Sequence, residues 1–487
     1  MRSSTACFYI TLAATLLLAA GTVALCFAEH ESPLGKRPEG FETVDAKSET
    51  EERKAKTDEL ESIIEGFDEE PEPVKKTGEE KKPSRFSLDG YVKHGLSYNF
   101  SHQSPEPGET DWRGLSRFRP EIKLKLKAKF SDSIRAQVSG KAYYDAVFVI
   151  RGRDGYTEEV LNNREKDAEL AESYILGKLT DNLDFRSGRQ IIVWGKSDNI
   201  RITDVLNPLD IREPGLVDIE DLRLPVFATK LDYYWGDWSL SGIFLHEIRF
   251  NKTPAFGSDF FPGNKPQPPE AIPADSLGNT EYAAAVSGIL TGWDIAFYFA
   301  DVYDDLPYQE LKPNGEKELK HARLKMLGTA FNIALGNWLL KAETAFLDGF
   351  RFFNTPDESY CRLDALAGFE YTGFNETTVS FEMANRHLFD FDKSLKQPPD
   401  RATEDEFQTA FRLTRQFLND TLTLTFLAQT FDLSGEGGAF QRLSARYDWS
   451  DSIELSGGLI FYSAGHLRQF HGIGDKDRIF LEIKYSF

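Results

Sequence analysis

The chain is poor in cysteine: of 487 residues only Cys7, Cys26 and Cys361 carry a thiol. The first two fall in an N-terminal apolar stretch, so the rest of the chain keeps one. That excludes a disulfide framework or a cysteine-based metal site within one copy. Beyond the N-terminal stretch no run reaches the ~20 apolar residues that a membrane helix needs. The helical periodicity of α/β units and the long apolar runs of parallel-sheet cores are also missing. A basic balance is absent, since the formal net charge is −21, and this argues against a nucleic-acid partner. Eight histidines are scattered, among them His94, His246, His321 and His387, without the repeated pairing to Ser or Asp that hydrolytic chemistry needs, so no enzyme is expected. There is no C-x-x-C-H motif for haem, and the spacing of Asp301, Asp304 and Asp305 is not diagnostic of a cation site. No cofactor or metal is expected.

What the sequence does have is a period of two. From Ile122 to Phe130 every even position is apolar (Ile122, Leu124, Leu126, Ala128, Phe130), while Lys123, Lys125, Lys127 and Lys129 fill the odd ones. After the turn residues 131–133 the pattern resumes, with Ile134, Ala136, Val138, Ala142 and Tyr144 on one side and Arg135, Gln137, Ser139, Lys141 and Asp145 on the other. A strand sends successive side chains to opposite faces, so this hairpin has one apolar face and one basic face. The three-residue turn sets Lys129 near Arg135 and Lys123 near Lys141. Directly opposed like charges destabilise a sheet, which calls for acidic neighbours or mobile anions.

Residues 1–28 read as a signal peptide, Met1-Arg2 followed by an apolar core and a small-residue exit at Ala28, with a membrane anchor as the alternative. Residues 29–85 are rich in Glu, Lys and Pro and read as a disordered acidic periplasmic segment. Within it Leu60, Ile63, Ile64 and Phe67 fall at helical spacing, which predicts a short helix over 58–67 and gives a place for a periplasmic protein partner.

From 86 to 487 the alternation recurs with turn signals. Strands are expected near 86–99, 115–130, 134–150, 168–179, 183–195, 225–235, 238–248, 280–290, 293–303, 320–334, 338–348, 362–372, 377–387, 405–416, 421–431, 440–449, 453–462 and 478–487. The fold class is therefore all-β: a transmembrane antiparallel β-barrel of about eighteen strands, or sixteen if one hairpin is misread, since a closed barrel is the remaining way to span a bilayer. Short connections alternate with long ones, and Trp235, Trp238, Trp293, Trp338 and Trp449 all flank short turns. They are expected to form an interfacial girdle at the periplasmic side.

The stretch GRQIIVWGKSDNIRITDVLNPLDIREP carries a more specific pattern, with Gly188, Arg189, Gln190, Trp194, Gly195, Asp204, Asn207, Pro208 and Asp210 at its fixed positions. It resembles a motif of a family of uncharacterised proteobacterial outer-membrane porin-like β-barrel proteins. The resemblance implies an outer-membrane barrel of a Gram-negative bacterium, in contact with the lipid bilayer and lipopolysaccharide. The last strand, RIFLEIKYSF, ends on Phe487 as such barrels do, which implies recognition by the barrel assembly machinery.

Physically, the same stretch opens the long connection 196–224, where Arg201, Asp204, Asp210, Arg212, Asp218, Glu220, Asp221 and Arg223 mix both signs. The functional expectation is a channel for passive diffusion of small hydrophilic, anionic solutes. Its basic wall of Lys123, Lys125, Lys127, Lys129, Arg135 and Lys141 would face a constriction loop at 196–224, setting a transverse field across the passage. The alternative is a structural barrel or docking scaffold of a larger envelope complex. Two finer expectations follow from parity: a bulge at Ser187-Gly188 turns Arg189 inward, and Arg323 and Lys325 join the inward-facing groups, as do Lys341 and Glu343.

Overall fold

The computed structural model describes residues 85–106, 108–263 and 265–487. Apart from Arg85, the expected signal peptide, acidic segment and helix over 58–67 lie outside the described residues. The strands β1 (Phe86–Asn99), β2 (Gly114–Lys129), β3 (Ile134–Tyr144), β4 (Lys166–Thr180) and β5 (Leu183–Gln190) come first. They lead to β6 (Val226–Trp235), β7 (Trp238–Leu245), β8 (Glu281–Leu290) and β9 (Trp293–Tyr303). A separate two-stranded hairpin, β10 (Tyr308–Leu311) and β11 (Lys317–Lys320), occupies the connection expected to be loop. Then come β12 (Arg323–Leu335), β13 (Trp338–Phe350), β14 (Tyr360–Phe374), β15 (Thr377–Leu388) and β16 (Asp405–Phe417). The chain finishes with β17 (Leu422–Phe431), β18 (Gly438–Ser450), β19 (Ile453–Ser463) and β20 (Arg478–Ser486).

Eighteen of these strands form one antiparallel sheet, in which β9 pairs with β12 and β20 closes onto β1. Closure leaves no unpaired edge, so the backbone groups of every wall strand are satisfied by neighbours. The strand expected over 183–195 stops at Gln190, because the Ile192 amide donates to Asn207 Oδ1 (2.7 Å) rather than to a strand neighbour, and the chain leaves the wall there.

Parity separates two faces. Ile122, Leu124 and Leu126 on β2, Val138 on β3 and Leu481, Ile483 and Tyr485 on β20 are all 41–55% exposed, and through the register of β1 between β20 and β2 they share one outward face. Tryptophan marks one end of this apolar belt. Trp235, Trp293, Trp338 and Trp449 are exposed beside short turns, whereas Trp112 and Trp194, in long connections, are buried.

Two parity expectations fail. The register of β5 runs unbroken against β4 and β6 through Ser187 and Gly188, so no bulge resets it. Arg189 therefore faces outward, opposite the exposed Phe227, where Glu247 pairs with it. Gly188 is required for another reason: its φ is +135°, and a Cβ would lie 2.4 Å from the Ser173 carbonyl. Arg323 and Lys325 are likewise outward, because Leu324 and Met326, at 5% and 1% exposure, take the inward positions between and beside them. There Arg323 pairs with Asp301 and lies over the Tyr303 ring (4.8 Å).

Candidate functional site

The inward face of β2 and β3 carries the predicted lysines in the register that the turn requires. Lys123 sits opposite Lys141, and Lys129 opposite Arg135. On the other side β1 places Tyr91 opposite Lys123 and Asp89 opposite Lys125. Glu169 on β4 stands opposite Lys141, and the ion pairs nearest the turn are wet: Lys127 lies 3.9 Å from Asp89, and Lys129 lies 2.8 Å from the turn residue Asp132. Ion pairs so exposed contribute little to stability. Further along, where the strands approach the long connections, the basic groups acquire partners: Lys93 is 3.7 Å from both Glu121 and Glu482, and Arg117 is 3.0 Å from Glu482.

Residues 191–224 are the opposite case: this segment is fastened to the inward face of the barrel. Two wall carboxylates act as pegs. Glu343 on β13, 1% exposed, accepts the Lys196 and Ser197 amides (the latter at 2.6 Å) together with the Thr203 amide (3.3 Å) and hydroxyl (2.9 Å). Glu382 on β15, also 1% exposed, accepts the amides of Asp198 (2.7 Å), Asn199 (3.0 Å) and Ile200 (3.1 Å). Successive backbone N–H groups thus wrap each carboxylate, as in anion-binding nests. Gly195, at φ +88°, is part of the wrap, because a Cβ would lie 2.8 Å from the Glu343 carboxylate.

Apolar packing completes the attachment. Ile192, Trp194, Ile200, Ile202 and Leu206 form one buried cluster with inward residues of β6–β9 and β12–β16. The wall has been reduced to make room: Ala228, Ala300, Ala330, Ala345 and Ala410 are completely buried, and Trp194 stacks on Tyr298 at 4.7 Å. A larger side chain at any of these alanines would overpack a core already filled, at about 1–3 kcal/mol.

The motif residues hold the neck of this insertion. Asn207 Nδ2 donates to the Leu224 carbonyl (2.8 Å), and the Leu224 amide donates to the Pro208 carbonyl (2.7 Å). Gln190, fully buried, donates to the Ala228 carbonyl at 2.9 Å. Asp204 receives Arg223 Nε at 2.9 Å and lies 3.2 Å from Arg201 Nε. These groups tie chain to chain, so the motif builds the insertion rather than a solute contact.

The remaining predicted loop residues reach other walls. Arg212 pairs with Asp210 and lies 3.2 Å from the Tyr143 hydroxyl. Asp218 pairs with Arg442 on β18 and, at 3.3 Å, with Arg412 on β16. Asp221 lies within electrostatic reach of Lys93, Lys123 and Lys141, which brings one loop acid toward the basic wall. Glu220 borders a cavity against β14–β16.

The sequence reading missed an ionic cluster beside these groups. Asp259 is buried between Arg164 Nη1 and Arg478 Nη2, each 2.8 Å away, and Glu213 bridges Arg164 (2.6 Å) and Arg119 (2.8 Å). Burial alone would push both carboxyls up. Arg119 and Arg164 outweigh it at Glu213, and Arg164 and Arg478 at Asp259, holding both well below the usual carboxylate range. Five segments far apart in sequence meet here, so no local spacing could have announced it.

Residues 106–487 match the family model described as "Protein of unknown function (DUF1302)". Among solved structures the chain is similar to Pseudomonas aeruginosa OccK9 (OpdG), with a TM-score of 0.51 and 11% identity over 82% of this chain and 98% of that one. It is also similar to Acinetobacter baumannii OccAB3, with a TM-score of 0.50 and 12% identity over 82% of this chain and 99% of that one. At such identities the likeness is one of fold. No curated protein matches the chain.

Proposed function

The chain belongs to the DUF1302 family of proteins of unknown function, and from that premise we propose that it is a porin-like channel of the Gram-negative outer membrane, passing small hydrophilic, anionic solutes by diffusion. The observation that carries this reading is the pair of faces on β2 and β3. Leu124 and Leu126, 42% and 43% exposed, suit acyl chains, while Lys123, Lys125, Lys127 and Lys129 project from the same strand to the other side. A strand so built needs lipid outside and water inside.

In this reading segment 191–224 narrows the passage, and its Asp221 opposes the basic wall, giving a field across the remaining lumen. The exposed tryptophans beside the short turns mark the periplasmic interface, lipopolysaccharide surrounds the other end, and Phe487 is the handle for the assembly machinery. Transport of this kind needs no catalytic group.

The experiment is the reversal potential in planar bilayers under a salt gradient. Anion preference that weakens when Lys123 and Lys125 are both changed to Gln is expected. Cation preference, or no conductance at all, overturns the reading.

A further inference from the structure

One interior cavity holds groups that the basic wall does not use. It has a volume of about 220 Å³ and lies between segment 191–224 and the inward faces of β14–β16. That is room for about seven waters at the liquid volume of one water each. The wall contributes a row in register: Glu370 stands directly opposite Ser380, and Ser380 directly opposite Arg412. One row nearer the short turns, Thr378 stands opposite Thr414. Across an antiparallel pair such neighbours have Cβ atoms about 4.5–5.5 Å apart, so acid, hydroxyl and guanidinium all fall within the span of one small molecule.

The roof of the cavity comes from Asp198, Asp218 and Glu220. Two of these acids are already neutralised, Asp198 by Lys341 and Asp218 by Arg412 and Arg442. Glu220 and Glu370 are in a different state: among the described residues neither carboxylate has an ion pair or hydrogen bond, although both border the same space. Ser380 is the second sign of a ligand. It is 5% exposed, borders the cavity, and its hydroxyl makes no hydrogen bond among the described residues. The hydroxyl oxygen is open to the cavity, so its partner is whatever fills that space, water or an entering solute.

We propose that this cavity is a subsite for a small solute bearing a primary ammonium beside hydroxyl groups. An ammonium offers three donors and no acceptor, which matches two carboxylates that lack partners. The solute's hydroxyls then meet Ser380, Thr378 and Thr414, and its ring or hydroxyl oxygen accepts from the Arg412 guanidinium. The subsite rests on the reading of the interior as an aqueous passage, because the solute must reach it. It also adds to that reading, since the interior becomes bipolar: a basic strip on β2 and β3, and an acid-and-hydroxyl strip on β14–β16.

Calorimetry on the purified full chain in detergent at low salt tests it, with glucosamine, glucose and N-acetylglucosamine as probes. Glucosamine is expected to bind, with affinity at least tenfold above that of either sugar lacking the charged amine. Glu370→Gln is expected to lower glucosamine affinity tenfold or more and Ser380→Ala several-fold, while Arg415→Gln, on the outward face of β16, leaves it unchanged. If either wall variant fails to fold, Glu220→Gln on the exposed side of the cavity repeats the test without altering the wall. Equal affinities for the three sugars, no measurable binding, or binding indifferent to Glu370→Gln and Glu220→Gln overturns the proposal. Binding in detergent needs no conduction. Anion current without glucosamine binding therefore sinks the subsite alone, and glucosamine binding without any conductance sinks the channel reading alone.

Discussion

The inward faces of β2–β3 and of β6–β9 belong to one closed sheet and solve different problems. Near the turn of β2 and β3 the inward positions are mostly long cations, Lys123 to Lys129 with Arg135, partly or fully exposed to the interior. On β6, β8 and β9 they are Ala228, Ala283, Ala285, Ala296 and Ala300, all buried beneath Ile192, Trp194 and Ile202. An inward position open to the interior is polar, whereas one covered by the inserted segment is apolar or, like Glu343 and Glu382, polar with its partners supplied by that segment. Where a segment of the chain fills the interior, the same position becomes a core position and follows the rules of packing.

The sharpest way to separate the two sides is to remove a peg. Glu343→Ala leaves three backbone amides and the Thr203 hydroxyl without their acceptor, and its expected cost is on the order of 3 kcal/mol or more. Limited proteolysis within 196–203, together with denaturant unfolding in detergent, reads that loss. Lys125→Ala on the basic wall is expected to stay within about 0.5 kcal/mol of the parent. A peg variant as resistant as the parent would mean that the segment is held by something else. Next in size, Ala300→Leu overpacks the filled side by about 1–3 kcal/mol. Gln137→Leu, which places the same leucine side chain on the half-exposed inward face of β3, should shift the unfolding midpoint hardly at all.

Acid draws a further distinction. Glu213 and Asp259 have carboxyls held low in the fold, so the stability they contribute is present in full above the unfolded-state value of about 4 and is lost as pH falls through the lower folded values. Trp112, whose ring lies 5.0 Å from the Arg164 guanidinium, reports on this cluster. Its environment should hold at pH 5 and change only below about pH 4. Asp259→Asn should abolish its share of that transition. The smallest effect concerns the opposed lysines: Lys141→Gln removes the like charge facing Lys123 but also the cation opposite Glu169 on β4, so stability should stay within about 0.5 kcal/mol of the parent.

Much of this was legible in advance. Period-two alternation located all eighteen wall strands, and the turn at 131–133 fixed the register that opposes Lys123 to Lys141, because side-chain direction on a strand depends only on parity. The exceptions share one cause. The strand EYAAAVSGIL of β8 is apolar on both faces, a sign that its inner side is covered, but alternation alone does not say by what. Arg189 and Arg323 were expected inside because charge was equated with water. Near the strand ends the outward face is polar as well, and there Arg189 meets Glu247 and Arg323 meets Asp301. Glu382 gave no local signal, since its role depends on amides 182–184 residues away in the chain. The motif at 188–210 was visible, but its work is to fold the insertion, which only the hydrogen bonds of Asn207 and Gln190 disclose.

The central claim is that the lysine face of β2 borders water and its apolar face borders lipid. In a Cys361→Ser background, single cysteines at Lys125 and at Leu124 test it in one bilayer experiment with a charged, membrane-impermeant thiol reagent. The account predicts that Lys125→Cys reacts quickly and that its conductance changes on modification, while Leu124→Cys stays unreacted and its conductance stays constant. Fast reaction at Leu124→Cys with silence at Lys125→Cys would contradict it.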